Sequence, residues 1–122
     1  MIQGFFGEKG ELLFEIDLIA ADGSIISVNA LLDTGFTEWL AMDTQDVESL
    51  GWSYLDKQEM RTARGDTRFN VYQGTVIFDR QELTIPVLCR REVPEILMGL
   101  LWLETRRLVV DRKAAVLRLE ED

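Results

Sequence analysis

Asp33-Thr34-Gly35 sits between two apolar runs, Val28-Asn29-Ala30-Leu31-Leu32 before it and Phe36-Thr37-Glu38-Trp39-Leu40 after it. An acid placed directly after a buried strand is costly, because burial disfavours the charged carboxylate and raises its pKa. Such an acid is expected to have a chemical task. Gly35 lets the backbone turn sharply where a larger residue would clash. Thr34 brings a hydroxyl that both donates and accepts, so it can tie this loop to a neighbour. The same triplet also suits a polar turn closing a hairpin, since Asp and Gly are ordinary turn residues. The rest of the chain decides between these readings.

Chemistry is narrowed first by what is missing. The sequence has no histidine, which removes Ser-His-Asp and Cys-His catalysis and most zinc sites. Carboxylates are then the leading candidates for proton transfer. The formal net charge of −9 disfavours binding to nucleic acid or to an anionic membrane. No stretch approaches the roughly 20 apolar residues of a membrane span. A chain of 122 residues has room for one core and is read as a single domain over 1–122. Cys89 is the lone cysteine and lies in the apolar run Ile85-Pro86-Val87-Leu88-Cys89, where a buried thiol is expected. The first residues carry no basic stretch ahead of an apolar one, so they do not read as a signal peptide. The expected compartment is reducing and cytoplasmic.

Along the chain, residues 1–10 carry three glycines and are expected to be loosely held unless they pair with another segment. Apolar and polar residues alternate over 12–18, which predicts a half-buried strand. Asp22-Gly23 marks a hairpin turn, and a second strand over 25–32 delivers Asp33. Asp43 as N-cap and Gly51 as C-terminal stop frame one short helix. The polar stretch 58–72 predicts a projecting hairpin that turns at Gly65-Asp66, either a plain surface feature or a cover over a cleft. Strands follow over 74–78 and 83–89, with Pro86 at an edge or bulge. Pro94 is well placed to start a helix over 95–106. A hairpin over 108–119 completes the sequence. Many short strands, two short helices and no βαβ alternation describe an all-β barrel or sandwich.

With these elements in place, the chain resembles the retropepsin-like aspartic proteases. It is most similar to the small prokaryotic group that carries Asp-Thr-Gly-Phe. The resemblance rests on Ala30-Leu31-Leu32-Asp33-Thr34-Gly35-Phe36-Thr37, the helix ending Leu50-Gly51, Thr62-Ala63-Arg64-Gly65, and Ile96-Leu97-Met98-Gly99-Leu100-Leu101-Trp102-Leu103. It implies a small closed barrel of the acid-protease type, one lobe per chain, working as a homodimer on peptide or protein substrates. Asp33 would be the catalytic residue, Thr34 would bridge the two active-site loops, and Gly35 would line the floor. The hairpin around Gly65 would be the flap, and the Gly99 segment would pack behind the active-site loop. Phe36 and Thr37, with Ala63, Arg64, Gly65 and Asp66, would be the substrate-binding residues. Phe36 stands where retroviral members carry a small residue. A lone Gly65 replaces their glycine-rich flap tip.

The implied chemistry needs no metal or cofactor. One ionised carboxylate deprotonates water while a second, protonated, hydrogen-bonds the scissile carbonyl. Two carboxylates about 3 Å apart share one proton because both cannot ionise together. One chain carries one triplet, so the second carboxylate would come from a symmetric partner. Two alternatives stand beside this reading. One is a non-catalytic dimeric module of the same fold that binds peptides or joins proteins. The other is a monomeric β-domain with a binding role.

Overall fold

The structure is a computed structural model and describes residues 1–62 and 65–121. In chain order its elements are β1 (Ile2–Gln3), β2 (Phe5–Phe6), β3 (Leu12–Ile19), β4 (Ile25–Leu32), β5 (Leu40–Asp43), α1 (Thr44–Leu50), β6 (Ser53–Thr62) and β7 (Gly65–Phe78). They continue with β8 (Gln81–Arg90), β9 (Ile96–Met98), a 3₁₀ turn (Leu100–Leu103), β10 (Arg106–Asp111) and β11 (Val116–Glu121). Six strands, in the order β3-β4-β9-β5-β8-β7, close into a barrel where β7 pairs back onto β3 through Asp17 and Ile77, Leu18 and Val76, and Ile19 and Thr75. A separate sheet, β1-β11-β10, holds the two ends of the chain. The small closed barrel expected from the sequence is therefore present.

Strand alternation fills the barrel. On β3, Phe14, Ile16 and Leu18 are buried while Glu15 is exposed and Asp17 half-buried. Their neighbours across the core include Phe78, Met98 and Trp102. Full burial of side chains this large stabilises by roughly 1.5–3 kcal/mol each. Trp102 also stacks edge-on against Trp39 at 5.0 Å and Phe78 at 4.9 Å. Its indole N–H donates to the Trp39 carbonyl at 2.8 Å, so its one polar atom is satisfied.

Helix α1 forms as its end residues dictate. Asp43 Oδ1 accepts from the Gln45 N–H at 2.8 Å, and Gly51 ends the helix in the left-handed region at φ 74°. Val47 and Leu50 give it a buried face.

In residues 1–10 the pairing alternative holds: Ile2 and Gln3 pair with Leu119 and Arg118, and Phe5 and Phe6 with Leu13 and Leu12. Two sequence expectations are corrected. The helix expected over 95–106 is absent. Ile96–Met98 instead fills the slot between β4 and β5, parallel to one and antiparallel to the other, and only Leu100–Leu103 coils, as a 3₁₀ turn. Leu and Met are good helix formers, but two strands with free edges offer a ladder that local propensity cannot outweigh. Finally, Gly65-Asp66 is not the turn of the long hairpin. Gly65 pairs with Thr62 and Asp66 with Arg61, both within the β6–β7 ladder, and residues 63–64 lie outside the described residues. The strand expected over 74–78 is the second half of that same 14-residue β7. Pro86 pairs with Gln73 of β7 and directly precedes the part of β8 that pairs with β5, so β8 has an open edge on the β5 side at Pro86.

Cys89 is fully buried, as expected, at the end of β8. Burial, with a smaller contribution from the Asp43 charge, pushes its thiol up to about 12. Since the thiolate is the nucleophile, the folded protein should resist iodoacetamide at pH about 8 and react once unfolded in urea. Equal labelling rates in both states would contradict this placement.

Candidate active site

Asp33 sits one residue beyond β4, at the point where the parallel pairing of Leu32 with Met98 ends. Its backbone N–H donates to the Met98 carbonyl at 2.9 Å, extending the ladder by one bond. The side chain turns back on the loop. Asp33 Oδ1 accepts from the Gly35 N–H at 2.9 Å, and the Asp33 carbonyl accepts from the Phe36 N–H at 3.1 Å. Among the described residues, nothing binds Asp33 Oδ2. One oxygen is thus fixed and the other is left open. The carboxylate is half-buried rather than buried, which corrects the cost expected for an acid enclosed by the strand.

The backbone angle of Gly35 is not left-handed and does not itself call for glycine. A Cβ built there would lie 3.2 Å from Asp33 Oδ1, tight against the oxygen that the Gly35 N–H holds. The loop is clamped from behind by the Gly99 segment. Gly99 N–H donates to the Trp39 carbonyl at 3.0 Å, and Leu100 N–H donates to the Phe36 carbonyl at 2.8 Å. This is the packing that the resemblance implied for Gly99.

Phe36 is buried in a small apolar cluster of its own with Ala41, Phe69, Val71 and Leu88, apart from the main core. Phe36, Ala41 and Phe69 of this cluster form one wall of a cavity of about 300 Å³ that Asp33 and Gly35 also line. Met60 and Arg61 on β6 reach the same cavity from the long hairpin, and Val93, Pro94 and Leu97 close another side. Arg90 completes the rim, its guanidinium 5.7 Å from the centre of the Phe69 ring.

The structure therefore brings Asp33, Gly35 and Phe36 together. Thr34 and Thr37 are exposed and do not line this cavity. Thr34 makes no hydrogen bond among the described residues. Gly65 and Asp66 are exposed at the far end of the hairpin and also stay out of the cavity. Ala63 and Arg64 lie outside the described residues. Sequence reasoning missed Met60, Arg61, Phe69, Arg90, Val93, Pro94 and Leu97. The alternation of Phe69 and Val71 was the available signal for one of them. Pro94 and Leu97 were obscured by the helix expectation.

One carboxylate cannot act as proton acceptor and proton donor at the same moment. Among the described residues, Asp33 is the one carboxylate that lines the cavity of a single chain. Among the described residues, no group of three or more Cys, Asp or Glu gathers as a metal site. No helix among them is long and apolar enough to cross a membrane.

The fold is that of the retropepsin-like aspartic proteases. A retropepsin-like aspartic protease from Rickettsia conorii aligns with a TM-score of 0.61 at 18% identity, over 95% of this chain and 86% of that one. The EIAV protease, solved with the inhibitor HBY-793, aligns at 0.64 and 16% identity, over 86% of this chain and 98% of its own. The simian foamy virus (mac) protease aligns at 0.52 and 17% identity, over 79% and 99%. No family model and no curated relative matches the chain.

Proposed function

We propose that this chain, a single domain over 1–122, is one subunit of an aspartic endopeptidase. Its catalytic pair is Asp33 from each of two chains across a two-fold axis. The observation that carries the reading is the carboxylate at the rim of an apolar cavity, with Oδ1 held by the Gly35 N–H and Oδ2 open. The fold shared with aspartic proteases supports it. In the paired site one Asp33 is ionised and takes a proton from water as the water oxygen attacks the peptide carbonyl. The other, protonated, donates to the carbonyl oxygen as it gains negative charge. Collapse of the tetrahedral intermediate breaks the C–N bond, and the amine leaves with a proton from the pair. The β6–β7 hairpin carrying Gly65 and Asp66 is read as the flap, and Ala63 and Arg64 are read as substrate-binding residues. Thr37 is read as contacting substrate beside Phe36. The reducing, cytoplasmic setting rests on the single buried thiol, and the prokaryotic assignment on Phe36 and the Rickettsia likeness.

Assembly and activity should move together. Two chains bring 2 × −9 = −18 formal charges at neutral pH, which opposes association. The pair also requires one shared proton. Lowering the pH from neutral to about 5 should tighten the dimer and raise cleavage of an unfolded protein substrate. Specific activity should fall on dilution. Activity strictly proportional to chain concentration down to the detection limit would overturn the shared site.

Thr34 separates scaffold from interface. It is exposed and has no hydrogen bond among the described residues, so Thr34→Val should leave the melting temperature of dilute monomer unchanged. If the hydroxyl bridges the two loops, the same change weakens the dimer by about 1–3 kcal/mol, and Thr34→Ser is mild. Sedimentation of all three forms reads this directly. Equal dimer affinity for the Val variant would remove the bridge.

A further inference from the structure

A cavity larger than the one beside Asp33 lies elsewhere on the chain. It measures about 830 Å³ and lies where the ends of β5 and β8 meet the base of the long hairpin. Lys57, Arg68, Arg90 and Arg91 line it. The carboxylates on its wall are Asp43, Glu48 and Glu92. Four cations against three carboxylates reverses the balance of a chain whose net charge is −9. One of those carboxylates is already committed: Asp43 Oδ1 accepts from the Gln45 N–H and Oδ2 from the Glu92 N–H. Arg68 is paired at 3.0 Å with Glu59, outside the lining. Among the described residues, Lys57, Arg90 and Arg91 are in no ion pair.

Arg90 is the hinge between the two cavities, since it lines both. Its guanidinium is stacked over Phe69, whose ring is part of the wall beside Asp33. Stacking leaves the edge of the planar fork free, and that edge matches a carboxylate with two parallel N–H bonds. Cys89 also borders the larger cavity, but a thiol this strongly protonated supplies no nucleophile there. The cavity is thus equipped to bind and not to react. A peptide lying across Asp33 and running past Arg90 would enter it.

We propose that this second cavity holds an acidic segment of the peptide substrate, with an Asp or Glu side chain of that segment on Arg90 where the two cavities join. The proposal rests on the protease reading for the word substrate; the binding itself does not.

The test uses two fluorescein-labelled peptides of equal length and identical apolar centre, one flanked by glutamates and the other by glutamines. Each is titrated by anisotropy against the full chain carrying Asp33→Asn, so that cleavage does not intervene. The glutamate peptide should bind about tenfold tighter, and added sodium chloride should shrink the difference. Arg90→Gln should remove most of that preference and Lys57→Gln part of it. Arg107→Gln, at an exposed cation paired with Glu120 far from the cavity, should leave it intact. Melting curves confirm that each variant folds. Equal binding of the two peptides, or a preference untouched in both Arg90→Gln and Lys57→Gln, overturns the site. A second arm digests a denatured protein mixture with the unaltered chain and maps the cut sites. Asp and Glu enriched on one side of the cuts supports the subsite, and cuts without enrichment overturn it as a substrate site. Glutamate-selective binding with no cleavage at all sustains the acidic-peptide site while the protease reading fails.

Discussion

Asp33→Asn should abolish proteolysis while leaving the fold in place. Asparagine keeps a side-chain oxygen where Asp33 Oδ1 accepts from the Gly35 N–H, so the loop retains its bond. The main-chain bond from Asp33 to the Met98 carbonyl does not depend on the side chain at all. What is lost is a group able to hold and release the shared proton. Removing a positioned general acid or base costs about 10²–10⁴-fold, and here both copies go at once, so the upper end is expected. Cleavage of an unfolded protein at mildly acidic pH measures the loss. Circular dichroism and sedimentation check that fold and association are retained. A variant with half or more of the parent rate would put the chemistry elsewhere.

Gly99→Ala should be strongly destabilising. A Cβ at Gly99 would clash with the Glu38 carbonyl oxygen and stand 2.8 Å from that of Phe36. Both are backbone atoms of the loop that carries Asp33, so neither can swing aside as a side-chain end would. Relief requires the loop and the Gly99 segment to separate. That breaks the bonds from Gly99 N–H to Trp39 and from Leu100 N–H to Phe36. The Trp102 indole bond to the same Trp39 carbonyl is disturbed with them. Overpacking of this kind costs about 3 kcal/mol or more. For a domain of this size that lowers the melting temperature by about 10 °C. A melt within about 2 °C of the parent would show that the loop is not clamped as described.

The parts of this molecule legible in its sequence are those governed by local rules. The alternation of β3, the strand that ends at Leu32 and the helix between Asp43 and Gly51 each depend on near neighbours, and each formed where expected. Asp33 at a strand end was legible for the same reason. Ile96–Met98 was not, because three apolar residues after a proline fit a helix start as well as a strand. Only the open edges of β4 and β5, far away in sequence, decide for the strand. The cavity wall failed to show for a related reason. Met60, Phe69, Arg90 and Leu97 come from four different strands or loops, and nothing in their spacing links them. The crowding expected at Gly35 comes from the nearby Asp33 carboxylate oxygen, a contact that the sequence does not reveal, and its backbone angle is ordinary.

The central claim is that one site needs two chains, and a mixing titration tests it most directly. Parent chain is held at fixed concentration while Asp33→Asn chain is added, with subunit exchange followed by native mass spectrometry on isotopically labelled protein. If each site takes one Asp33 from each subunit, mutant chains sequester parent chains in half-sites. A ninefold excess should then lower the activity per parent chain about tenfold. Activity unchanged at that excess, with exchange complete, would mean that a single chain forms the whole site and would contradict the paired-carboxylate account.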